Sequence, residues 1–173
     1  MRESFKIVEV GPRDGLQNEK APVSTATKID LIQRLAACGL PVVEATSFVS
    51  PKWVPQMADA AEVLAGVQRK AGVRYPVLVP NLQGLERAIA SHVDEVAVFT
   101  AASDAFNRKN INASIEESLT RLQPVIEQAL QRGLRVRAYV STVLGCPYQG
   151  AVPVSEVVRV TQALVNMGCY EIR

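Results

Sequence analysis

Arg13, Asp14, Gln17, Asn18 and Glu19 are crowded into one short stretch, Val10-Gly11-Pro12-Arg13-Asp14-Gly15-Leu16-Gln17-Asn18-Glu19. A guanidinium there can hold an oxygen that gains negative charge. The carboxylates can take a cation or a proton, and the amides can orient either partner. The stretch follows an apolar run, Phe5–Val10, that reads as a buried strand. Gly11, Pro12 and Gly15 then stop regular structure. Polar groups this dense at the end of a buried strand are what an active site needs, since function concentrates on strand-end loops. Glu9, on the strand itself, is placed to brace Arg13 from behind.

The elements that must carry this loop repeat along the chain. Gly39, Gly72, Gly133 and Gly168 each end a helix-like segment and lead into an apolar run. They are one or two βα units apart, at roughly 30 or more residues per unit. The longest interval has Ser91-His92 where a glycine would stand. The runs that follow, Pro41–Phe48, Tyr75–Pro80, Glu95–Thr100, Leu134–Leu144 and Tyr170–Ile172, are nearly continuous in apolar residues. Parallel strands covered on both faces read this way. Ser114-Ile115-Glu116-Glu117 is a capping box. It opens a helix with Ile115, Leu119, Leu122, Ile126 and Leu130 on one face, an expected kink at Pro124 and a stop at Gly133. Pro153 opens the last helix and Gly168 closes it.

Strand–helix units in series mean α/β, as a barrel or a doubly wound sheet. No glycine-rich nucleotide motif follows any strand. In a barrel the functional residues gather at the strand C-termini. Here those ends carry Arg13-Asp14, Glu44–Ser47, Asn81, Ser103-Asp104 and Ser141-Thr142. The 173 residues give five units and the start of a sixth strand as one domain, residues 1–173, without a linker. A closed eight-stranded barrel takes ~250. The net charge of +2, with basic residues scattered, argues for neither nucleic acid nor membrane as partner. Three separated cysteines, Cys38, Cys146 and Cys169, read as free thiols in a reducing compartment, here the cytoplasm.

Val8–Glu19 closely resembles the first-strand signature of the 3-hydroxy-3-methylglutaryl-CoA lyases. The resemblance continues through Glu44–Met57, Lys109–Asn112, Ser114–Ser118, Tyr139–Ser141, Leu144–Tyr148 and Met167–Ile172. It implies a (β/α)8 TIM barrel that splits this acyl-CoA into acetoacetate and acetyl-CoA, in leucine breakdown, with Mg²⁺ or Mn²⁺. It implies Arg13 as the catalytic and substrate-binding guanidinium and Asp14 as a metal ligand. Glu44 is the counterpart of an essential glutamate that orients the metal's surroundings or transfers a proton. Gln17 orients Arg13 or binds substrate, and Ser103 binds substrate. A homo-oligomer is expected. The family's other metal ligands, a His-x-His pair and an asparagine, and its catalytic cysteine belong to later strands that these residues do not include. Arg173 stands where the family has a serine. The expectation is therefore the N-terminal portion of a lyase. The alternatives are an inactive remnant or interaction module of the same family, or a lyase for a longer-chain analogue. Cys146 is expected to line the pocket or to pack as a structural thiol, His92 to be structural, and Lys52-Trp53 to anchor a loop.

Overall fold

The computed structural model of the chain describes residues 5–173. Backbone packing divides it into two compact units. The first holds the described residues up to Val79 together with Gln83–Glu95, and the second holds Pro80–Leu82 and Val96–Arg173.

In the first unit β1 (Val8–Glu9) pairs in parallel with β2 (Val42–Val43), Val8 opposite Val42 and Glu9 opposite Val43. A π-helical turn (Gly11–Gly15) follows β1, and α1 (Thr25–Ala37) returns the chain to β2. Then come β3 (Thr46–Ser47), a 3₁₀ turn (Pro55–Met57), α2 (Ala60–Gly66) and β4 (Val77–Leu78), which pairs in parallel with β3. Apart from Leu82, α3 (Leu82–Ala90) belongs here too. Ile32, Val42, Val43, Val63, Val77 and Leu85 form the core, fully withdrawn from solvent.

The expected strand Phe5–Val10 shrinks to Val8–Glu9, and Phe5 and Ile7 are 89% and 61% exposed. Among the described residues β1 has β2 as its strand partner, and nothing covers those two side chains. The expected run Pro41–Phe48 is assigned as two short strands, yet its hydrogen bonds pass through the gap. Glu44 N–H donates to Glu9 O at 2.8 Å and Ala45 N–H to Pro76 O at 2.9 Å. Glu44 is therefore held on both sides by backbone, in the interior of a parallel arrangement.

The loop expected to lack regular structure is instead the π-helical turn. The N–H groups of Arg13 and Asp14 both donate to Val10 O, at 3.0 and 2.7 Å. Pro12 sits in the first turn, where its missing N–H costs nothing.

In the second unit β5 (Glu95–Ala101, its first residue in the other unit) neighbours β6 (Arg135–Ser141). β6 pairs in parallel with β7 (Glu171–Ile172), Arg137 opposite Glu171 and Ala138 opposite Ile172. The helices are α4 (Asp104–Ile111), α5 (Ile115–Gln131) and α6 (Val154–Asn166). The capping box forms as expected: Glu117 N–H donates to Ser114 Oγ at 3.1 Å and Ser114 N–H to Glu117 Oε2 at 2.6 Å. Ile115, Leu119, Leu122 and Ile126 are buried, and Leu130 is partly exposed. α5 runs on as one helix through Pro124. The expected strand Leu134–Leu144 ends at Ser141, because Thr142 turns left-handed at φ +65° and Leu144 is fully exposed.

Gly39, Gly72, Gly133 and Gly168 all take positive φ, and so does His92, at +54°. The histidine thus fills the left-handed junction that glycine fills in the other units. No helix among the described residues is long and apolar enough to cross a membrane.

Candidate active site

Arg13 is brought to the end of β1 by the π-helical turn, and Glu44 lies between β2 and β3. Their side chains meet: Arg13 Nε donates to Glu44 Oε1 at 2.5 Å. Both are buried, Arg13 with 8% of its surface exposed and Glu44 with none. Arg13 Nη1 also donates to Asp14 Oδ1 at 2.6 Å. The guanidinium is thus gripped on two edges by carboxylates, one buried and one with about half of its side chain open to solvent (54%). Such a grip fixes the plane of the guanidinium, and so the direction in which it donates. The turn is itself tied down. Asn18 Nδ2 donates to Asp14 O at 2.7 Å, and Gly11 N–H to Glu9 Oε1 at 2.6 Å. Glu9 therefore braces the strand-to-turn junction through the backbone of Gly11.

The structure brings the side chains of Arg13, Asp14 and Glu44 together. Gln17 is half-buried on the same turn, and its amide makes no hydrogen bond among the described residues. As a metal site this cluster is sparse. Among the described residues no three of His, Cys, Asp and Glu are grouped so as to hold an ion. Asp14, exposed and with one oxygen on Arg13, fits as one member of a ligand set. Mg²⁺ commonly takes one or two carboxylates and completes its shell with water or substrate oxygens.

Ser103 belongs to the second unit and caps α4. Its Oγ accepts from Phe106 N–H at 3.2 Å and lies 2.7 Å from Gln149 Oε1 and 3.0 Å from Cys146 Sγ. Its single proton can go to one of these two at a time. Cys146, expected to line a pocket or to pack, is buried within this cluster. Burial alone would raise its thiol pKa. Hydrogen bonds from Ser103 and from the backbone of Tyr148, Gln149 and Phe106 outweigh that, and the net shift is downward. Cys169 has no such donors, and burial pushes it up to about 11.

Sequence reasoning missed Lys28. This buried ammonium of α1 donates to Asp59 Oδ1 at 2.6 Å and Gln56 O at 2.5 Å, while Thr25 Oγ1 donates to Asp59 Oδ2 at 2.7 Å. Gln56 Nε2 in turn donates to Glu19 O at 2.8 Å. Helix α1 is thereby linked, through the 3₁₀ turn, to the segment that carries Arg13. Nothing local in Thr25-Ala-Thr-Lys-Ile-Asp30 marks that lysine as buried, because its partners come from a distant stretch. Lys52 and Trp53 lie in an exposed turn, with Trp53 87% exposed, and His92 is exposed at its junction.

Residues 4–173 match the family described as HMGL-like. The chain is 61% identical over 170 residues to the mitochondrial hydroxymethylglutaryl-CoA lyase of Bos taurus, covering 98% of this chain and 52% of that protein. It is 60% identical over 167 residues to the cytoplasmic 3-hydroxy-3-methylglutaryl-CoA lyase of Danio rerio, covering 96% and 50%. The crystal structure of hydroxymethylglutaryl-CoA lyase from Pseudomonas aeruginosa superposes with a TM-score of 0.94 at 57% identity, covering 96% of this chain and 56% of that one. An HMG-CoA lyase from Acinetobacter baumannii, solved with coenzyme A and 3-methylmalate, gives 0.91 at 35% identity, covering 96% and 54%. The chain thus spans about half the length of the curated relatives it matches.

Proposed function

The chain belongs to the HMGL-like family, with the TIM-barrel-family fold of its structural neighbours, and from that premise we propose that it supplies the Arg13 half of a hydroxymethylglutaryl-CoA lyase active site. In barrel terms it contributes five βα units and the start of a sixth strand. The observation that carries the reading is the buried Arg13–Glu44 pair beside Asp14, in a chain so similar to lyases.

The reaction is a retro-Claisen cleavage. A base takes the proton of the tertiary hydroxyl, the bond between the hydroxyl-bearing carbon and the carbon next to the thioester breaks, and its electron pair becomes a thioester enolate. Protonation of the enolate gives acetyl-CoA, and the other fragment is acetoacetate. Arg13 donates to the thioester oxygen and holds the charge that develops there. Glu44, through Nε, keeps the guanidinium from turning away and spares it reorganisation as the charge appears. This positioning role is one the sequence did not suggest. Gln17 orients the substrate alongside Arg13, and Ser103 contributes to substrate binding. Asp14 would help to hold the divalent cation, Mg²⁺ or Mn²⁺, whose chemistry when bound is to polarise the substrate's hydroxyl and carbonyl oxygens. Three free cysteines suit a reducing compartment, and we place the protein in the cytoplasm, acting in leucine breakdown.

The test is acetoacetate formation from 3-hydroxy-3-methylglutaryl-CoA by the native protein that contains this chain, with Mg²⁺ or Mn²⁺ supplied. Turnover that is lost in Arg13→Gln supports the reading. Turnover unaffected by that substitution contradicts it.

A further inference from the structure

The turn that carries Arg13 is held differently at its two ends. At its entry β1 pairs with β2, and Gly11 N–H donates to Glu9 Oε1. Further along, Asn18 N–H donates to Gly15 O at 3.1 Å and Glu19 N–H to Leu16 O at 3.2 Å. These bonds are local, so they curl the segment without fixing where it lies. At its exit the residues from Asn18 to Pro22 are all exposed. Among the described residues one hydrogen bond reaches that exit from elsewhere in the chain. Gln56 Nε2 donates to Glu19 O at 2.8 Å, across 37 positions of sequence.

Gln56 is suited to that reach because its own backbone is anchored. It lies in the 3₁₀ turn Pro55–Met57. Its carbonyl accepts from the buried Lys28 ammonium, which is also paired with Asp59, and Thr25 bonds the other oxygen of that carboxylate. The next residue, Met57, is buried, and so is Ala60 beyond it. The Gln56 side chain, by contrast, is half-buried and borders an open cavity of about 290 Å³ together with Lys20, Pro22 and Pro55. Its amide makes this one hydrogen bond among the described residues. A rigid base thus carries a single directed donor, with open space beside it in place of packing.

We infer that Gln56 is a positioning residue for the Arg13 chemistry. It clips the exit of the turn and so keeps the guanidinium aimed while charge develops on the substrate. The inference deepens the proposed function and rests on it. Asp14, one of the carboxylates on Arg13, lies on the turn and moves with it. A turn whose exit drifts takes that carboxylate, and the aim of the guanidinium, along. Gln56 attaches to the backbone of Glu19 and acts on Arg13 only through the turn. It can bias the turn by no more than one hydrogen bond contributes, which bounds the size of the effect.

The test uses the native protein that contains this chain, with 3-hydroxy-3-methylglutaryl-CoA and Mg²⁺ or Mn²⁺. Gln56→Met keeps the length of the side chain, removes the donor and leaves the backbone carbonyl to Lys28. Lys28 is the poorer probe, because deleting one member of a buried ion pair endangers the fold. In Gln56→Met kcat should fall about three- to tenfold, with KM changed less than about twofold. Added to Arg13→Gln, the same change should cost less than about twofold more, since no guanidinium is left to aim. Amide exchange at Asn18 and Glu19 should quicken about three- to tenfold. A loss of kcat as large beside Arg13→Gln as without it would overturn the inference, because Gln56 would then support the fold at large. Unaltered exchange at Asn18 and Glu19 would also overturn it, as would a raised KM at unchanged kcat. If Arg13→Gln lowers turnover and Gln56→Met does not, the inference fails alone. If neither lowers it, the proposed function fails with it.

Discussion

Glu44→Ala removes a buried carboxylate from Arg13, which keeps among its partners Asp14, whose side chain is about half open to solvent. Breaking a buried ion pair by deleting one member costs about 3–5 kcal/mol, chiefly because a charge stays buried without compensation. Asp14 offsets part of that, so the low end applies, about 3 kcal/mol. For a chain of this length this is a fall in melting temperature of roughly 6–12 °C. Glu44→Gln keeps an acceptor for Nε but loses the charge, and should cost less, about 1–2 kcal/mol. Arg13→Met should relieve the penalty, so the double variant Arg13→Met with Glu44→Gln should lose at least about 1 kcal/mol less than the sum of the single losses. Urea unfolding followed by circular dichroism measures all four proteins. Equal losses for Glu44→Ala and Glu44→Gln, or strictly additive losses in the double variant, would refute the claim that the pair is what holds the guanidinium.

Three further outcomes follow from the geometry. Asp14→Asn, at an exposed site, should change stability by less than ~1 kcal/mol. The same change should weaken an already weak Mn²⁺ affinity of the chain, and one tight site in titration calorimetry that survives it would contradict Asp14 as a ligand. For Asp59, burial acts to raise the carboxyl pKa, but the hydrogen bonds from Lys28 and Thr25 and the charge of Lys28 outweigh it and the net shift is downward. The stability this contributes is complete above the unfolded-state pKa of about 3.9 and is lost as pH falls through the lower folded-state value. Asp59→Asn should flatten that part of the acid-unfolding curve, and an unchanged acid limb would count against the Lys28 link. His92→Gly should raise stability by up to ~1 kcal/mol, since a left-handed residue with a Cβ is strained where glycine is not; a loss on thermal melting would show that the histidine makes a contact worth more than the strain.

The parts of the fold that were legible are those written locally. The left-handed turns ahead of the strands fall on glycine at Gly39, Gly72, Gly133 and Gly168, while the junctions at His92 and Asn112 take that conformation without one. The capping box at Ser114 was readable because both of its hydrogen bonds join residues three apart. Arg13 and Asp14 were conspicuous because charges at the end of an apolar run stand out. What hid were pairings across sequence distance. The contacts of buried Lys28 with Asp59 and of buried Arg137 with Glu171 join residues whose pairing no local pattern reveals. The π-helical turn was hidden too, because Gly11, Pro12 and Gly15 suggest a break, while two N–H groups converging on Val10 O make a helical turn of it. Phe5 and Ile7 misled in the other direction. Their apolar character suggested burial, but burial needs a covering element, and none of the described residues supplies one.

The central claim is that Arg13 acts on charge that appears only as the carbon–carbon bond breaks. Steady-state kinetics of Arg13→Gln in the complete protein test it most directly. The account predicts a fall in kcat of about a hundred- to a thousand-fold with little change in KM, as for loss of a preorganised donor to a developing oxyanion. Near-normal kcat with a raised KM would contradict it, and would make Arg13 a residue that binds the substrate and does not stabilise the transition state.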